Sequence, residues 1–115
     1  MTILKGQLDA VDVPNTGTLT QVYLVPASKV ASVNLTIANR TNSSTVIRVA
    51  HIKAGGVGAV ANGDYLLYDF PTSALAHNLA PISITGIMMG AADTLAVYSN
   101  GNAVSAQVNG IEDDV

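Results

Sequence analysis

"VYLVPASKVASVNLTIANR", residues 22–40, holds two strand signals separated by one break. Beyond the break, Ala31, Val33, Leu35 and Ile37 alternate with Ser32, Asn34 and Thr36. Successive side chains of a strand point to opposite faces, so this rhythm predicts a strand with one face buried. Pro26 has no N–H for a ladder, so it ends the strand that reaches Val25 and opens a turn toward Lys29. The two-residue rhythm returns in "AVSAQVNG", residues 103–110, where Val104, Ala106 and Val108 alternate with Ser105, Gln107 and Asn109. "STVIRVAHI", residues 44–52, is a denser β-branched run, expected as a strand covered on both faces. "YLLYDF" (65–70) and "TLAVYS" (94–99) read as shorter strands.

The connections between these runs carry turn chemistry. Asn100-Gly101 suits a type I′ hairpin turn, whose two central residues need φ > 0. "NRTNSS", residues 39–44, reads as a polar loop between two long strands, and "AGGVGAVANGD", residues 54–64, as a flexible Gly-rich surface loop. "TSALAHNLA", residues 72–80, has room for one helical turn at most. The pattern predicts an all-β chain: a single antiparallel β-sandwich of about eight strands, jelly-roll or immunoglobulin-like. Residues 1–115 form one domain in this reading. Residues 1–17 are either an N-terminal arm that pairs outside the sandwich or its first strand.

Composition bounds the function. Charged residues make up 11% of the 115, against about 25% in an ordinary globular domain. Thr, Ser, Asn and Ala take the outward positions, which suits close uncharged contacts with other subunits. The net charge is −3, and Lys5, Lys29, Arg40, Arg48 and Lys53 are scattered, so nucleic acid is not an expected partner. Cysteine is absent, which removes disulfides and thiolate metal sites. "MTILKGQLDAVDV" lacks the apolar core of a secretory signal, and no run reaches the ~18 apolar residues of a membrane helix. Synthesis in the cytoplasm and no membrane partner are expected.

Residues with chemical potential do not assemble into a known motif. Gly56, Gly58 and Ala61 match G-x-G-x-x-[GA], but Asn62-Gly63-Asp64 interrupts the helix that a pyrophosphate site needs. His51 and His77 lack metal-ligand spacing, and no serine sits in a G-x-S-x-G elbow. The aspartates do not follow a calcium-loop spacing. Glu112-Asp113-Asp114 reads as a solvated acidic terminus. Tyr23, Tyr65, Tyr68, Tyr98 and Phe70 fall in or beside strands and are expected mostly as core or edge packing. Met88-Met89 is expected as core filling. A sugar binder would instead display an exposed aromatic pair on a sheet face. No catalytic, cofactor-binding or metal-ligating residue is assigned, and the chain is expected not to be an enzyme.

The stretch "LTQVYLVPASKVASVNLTIANRTNSSTVIRVAHI" resembles a motif of small tailed-bacteriophage virion proteins. In these, a Tyr-x-Val-Pro turn leads into a long strand, an Asn-containing polar loop and a β-branched strand. "YLLYDFPTSALAHNLAPISITGIMMGAADTLAVYSNGNAVSAQVNGIE" is similar to that family's central and closing segments, so the likeness spans about residues 18–112, departing at residues 54–63. The resemblance implies a β-sandwich structural subunit without cofactor: a capsid decoration (cement) protein on the phage head. Its partners would be the major capsid protein and copies of itself, in a trimer. A tail, fibre or baseplate component, including a carbohydrate-binding module, is the alternative. Expected contact residues are Thr2, Ile3, Leu4 and Lys5 in the amino-terminal segment, and Arg40 and Asn42 in the polar loop.

Overall fold

The computed structural model describes residues 3–14, 16–41, 43–72 and 81–114. Among the described residues eight strands follow one another: β1 (Leu4–Val13), β2 (Thr20–Leu24), β3 (Lys29–Asn39), β4 (Thr45–Ile52), β5 (Tyr65–Thr72), β6 (Ile82–Met89), β7 (Thr94–Asn100) and β8 (Val104–Asp114). They form two four-stranded sheets with orders β1-β8-β3-β6 and β2-β7-β4-β5. Every pairing is antiparallel. The pairs β1·β8, β2·β7, β3·β6 and β4·β5 are those of one long hairpin, and wrapping that hairpin around a core gives the jelly roll. This order excludes the immunoglobulin-like arrangement, in which early strands pair with their sequence neighbours.

The core lies where the pattern of β3 placed it. Val33, Leu35 and Ile37 are buried there with Ile47, Val49, Leu95, Val97, Val104 and Val108. Burial of each such side chain contributes about 1.5–3 kcal/mol. Lys29 N donates to Pro26 O at 3.0 Å, which closes the expected turn after β2. β4 is central in its sheet, and its outer face also packs: Ala50 and Ile52 join Ala96 under Val57, Val60 and Tyr65. That cover is the Gly-rich segment. Rather than a plain flexible loop, it contains two 3-10 turns, Val57–Ala59 and Asn62–Asp64. The Asp64 carboxylate accepts from Ala61 N at 2.8 Å and ties the second turn to its own start.

One open alternative is decided and two further expectations are corrected. Residues 4–13 are a strand of the domain's own sheet, because β1 pairs with β8 from Leu4↔Glu112 to Val13↔Val104. An arm pairing elsewhere is therefore ruled out for those residues. Asn100-Gly101 is not a hairpin turn, since β7 and β8 belong to different sheets. Gly101 alone has φ > 0 there, and a Cβ on it would lie 3.1 Å from Thr45 Oγ1, so glycine is required where the chain crosses over the start of β4. Glu112-Asp113-Asp114 is no solvated tail but the end of β8, paired with Lys29, Val30 and Ala31. Glu112 is buried and accepts a hydrogen bond from the Tyr23 hydroxyl of the opposite sheet. The possible helical turn at residues 72–80 falls almost wholly in residues 73–80, outside the described residues.

Candidate functional site

On the outer face of the β1-β8-β3-β6 sheet, the registers align Lys5, Ile111, Ser32 and Met88 in one row across all four strands. Val30 stands on the same face two positions before Ser32. Period-two geometry splits the methionine pair: Met89 is buried in the core, whereas Met88 is 73% exposed. Core filling thus holds for Met89 and fails for Met88, because β6 shows only one of its faces to the core. Val30 and Ile111 are also exposed. With Ser32, Gly90 and Asp113 they rim a shallow recess of about 530 Å3 whose surface is mainly apolar. An exposed apolar patch spanning three adjacent strands is a contact feature in a chain otherwise rich in small polar residues.

The expected contact residues divide between the two ends of the sheet. Ile3 and Leu4 are exposed at the start of β1, and Lys5 faces Ile111. Arg40 lies at the far end, where it is ion-paired with Asp12 of β1. Seven steps along the strand lead from Lys5 to Asp12, or ~23 Å at about 3.3 Å each. One compact site cannot hold both groups. Thr2 and Asn42 lie outside the described residues. The signal for Met88, Ile111 and Val30 was present in the alternation, but recognising it required the register of three strands.

The opposite face carries aromatics that packing was expected to absorb. Tyr23 is buried as expected, yet Tyr68 is 58% exposed and Phe70 is exposed too. Both lie on β5, an edge strand whose pairing slips beside β4 and whose Asp69 has φ 54°. The Arg48 guanidinium of β4 sits between two rings, 4.1 Å from the centre of Tyr68 and 4.4 Å from that of Tyr98. Its Nε donates to Asp69 Oδ1 at 2.6 Å, and that bond raises the Arg48 pKa further above its already high value. Tyr65 meets Tyr68 edge to face with ring centres 4.9 Å apart. Such contacts favour a fixed arrangement of the rings.

His51 and Asp93 meet as well. His51 Nε2 donates to Asp93 Oδ2 at 2.8 Å, Gly90 N reaches the same oxygen at 2.9 Å, and Ala54 N reaches Oδ1 at 2.9 Å. Both carboxylate oxygens are thereby spent on joining the end of β4 to the β6–β7 turn. This is the structural histidine expected from sequence. His77 lies outside the described residues. Among the described residues, no three His, Cys, Asp or Glu side chains gather as a metal cluster, and no helix is long and apolar enough to cross a membrane. The chain matches no family model and no curated protein.

Proposed function

We propose that this chain is a non-catalytic virion subunit, a capsid decoration protein that seats on the major capsid protein of a phage head. The observation that carries the reading is the Met88–Ile111–Val30 corner. Three apolar side chains stand outward on adjacent strands, and covering them would contribute about 25 cal/mol per Å2 of apolar area removed from water. Methionine adapts its shape to a partner at low cost. Lys5 extends the corner onto β1, with Ile3 exposed two positions before it, whereas Leu4 pairs with the inward Glu112 and faces the other way. Low surface charge suits lateral contacts with further copies, for which a trimer is the stoichiometry proposed. Arg40, ~23 Å away along the strand, belongs to a lateral contact.

Quantitative mass spectrometry of purified particles, combined with pelleting of added protein on stripped shells, tests this reading. Hundreds of copies per particle and saturable binding abolished by Ile111→Asp are expected. A handful of copies per particle, or unchanged binding of the variant, overturns it. A low copy number would turn attention to the alternative of a tail or baseplate component. Tyr68, exposed beside the half-buried Tyr65, favours that alternative, because a glycan-contacting module uses aromatic surface open to solvent.

A further inference from the structure

The outer face of the β2-β7-β4-β5 sheet carries a recess that docking through Met88 and Ile111 leaves unused. Arg48 and Tyr98 are directly paired across β4 and β7. With Leu19, Val57, Gly58 and Tyr65 they line a shallow, open cleft of about 380 Å3. Small-molecule sites usually measure ~300–1,000 Å3 and combine apolar walls with a few placed polar groups. Both flanks of the cleft are fixed. Thr16 bridges to Asn100, and Gly17 N donates to Ser99 O at 3.2 Å, which sets residues 17–19 beside β7. On the other flank, Ala59 N donates to Gly56 O at 2.9 Å and holds the turn that carries Val57 and Gly58.

The lining selects a chemical class. Asp69 engages Arg48 through Nε, and the Nη groups make no hydrogen bond to a described residue. The guanidinium charge is already matched by Asp69 and covered by two rings, so an anion finds no unbalanced charge to neutralise. A cation would meet a guanidinium already seated between Tyr68 and Tyr98. A wholly apolar ligand would bury the Nη donors without partners, at a cost. A ring with one C–H face and a rim of hydroxyls meets each requirement: the face covers tyrosine surface, and the rim accepts from Arg48 Nη.

We propose that this cleft binds one neutral hexopyranose unit of a glycan. The proposal is independent of seating on a capsid, since the two sites lie on opposite sheets. Saturation-transfer NMR on the full chain with glucose, galactose, mannose and N-acetylglucosamine, each at about 10 mM to detect millimolar dissociation constants, gives the test. Transfer to the ring protons of at least one sugar is expected. Gly58→Leu should weaken it at least ~10-fold, because Gly58 borders the cleft and a Cβ there meets no atom within 4 Å. Arg48→Gln, which keeps a flat polar end but loses the Nη fork, should weaken it as well. Circular dichroism on both variants verifies that they are folded. The proposal is overturned by no transfer to any of the four sugars, or by transfer unchanged in whichever of the two variants is folded. Stronger binding of glucuronate or inorganic phosphate than of neutral sugars would also overturn it, by showing an anion site. Any of these results leaves particle binding, measured separately, untouched.

Discussion

Asp93 shows how one side chain couples stability to pH. Burial by itself would push its carboxyl up, but the hydrogen bonds from His51, Gly90 N and Ala54 N outweigh burial and hold it below its ordinary value. A carboxyl lowered on folding contributes stability that is full above about pH 4 and lost as pH falls through the folded value. Urea unfolding followed from neutral pH into acid should therefore show stability declining below about pH 4. In Asp93→Asn the decline should be shallower, and neutral-pH stability should drop by about 1.5–3 kcal/mol, the worth of a charged hydrogen bond. An equally steep decline in the variant would assign the acid sensitivity to other carboxylates. Gly110 is a second decisive position. A Cβ there would lie 2.2 Å from Ser32 O and 2.8 Å from Val33 Cα, both backbone atoms of the neighbouring strand. Gly110→Ala should cost at least about 1–3 kcal/mol through strand displacement, read as a lowered urea midpoint.

Among the strands, β3 and β8 form the longest ladder of the sandwich, paired without a break from Lys29↔Asp114 to Asn39↔Val104. β8 also bonds the two sheets through Glu112, which accepts from Tyr23 of β2. Burial raises the Tyr23 hydroxyl well above its ordinary pKa, with the Glu112 hydrogen bond and charge adding to it, so the phenol keeps its proton at neutral pH and donates to the carboxylate. Tyr23→Phe keeps the ring and leaves the buried carboxylate short of a donor. A loss of about 1–3 kcal/mol in thermal or urea unfolding at neutral pH is expected; a neutral result would mean that water replaces the phenol. The alternation of β3 made its inner face legible residue by residue. β5 was legible as a strand but not as an edge. The exposure of Tyr68 and Phe70 depends on that edge position and on the irregular pairing around Asp69, neither of which leaves a local signature.

The sandwich as a whole is closed by pairing β1 with β8, and each sheet mixes early and late strands. Most of the stabilising contacts therefore form only after large loops have closed, which costs chain entropy before burial offsets it. Refolding by dilution from urea, followed by tyrosine fluorescence, should be slow for a chain of this size, on the order of milliseconds to seconds. Submillisecond refolding would show that local hairpins carry more of the stability than this topology implies. The same wrapping separates the two exposed surfaces. Met88 and Ile111 end on one sheet's outer face and Arg48 with its tyrosines on the other's, so the two proposed contacts would not compete.

From its own residues the chain determined an antiparallel β-sandwich, the inward set Ala31, Val33, Leu35 and Ile37, the turn at Pro26 and the structural part of His51. Each of these rests on chemistry within a few positions: a period of two, a missing N–H, or a histidine set in a β-branched run. Tertiary structure decided the jelly-roll strand order, the crossing at Asn100-Gly101, the inclusion of Glu112 in β8 and the placement of residues 4–13 in the sheet. It also decided which outward side chains meet. Met88, Ile111 and Val30 are far apart in sequence and become neighbours only through the registers of β6, β8 and β3. Arg40 and Lys5, proposed together from sequence, are held apart by the length of β1. Strand pairing is a non-local interaction whose energy depends on partners anywhere in the chain, so a local pattern gives a strand its faces but not its neighbours.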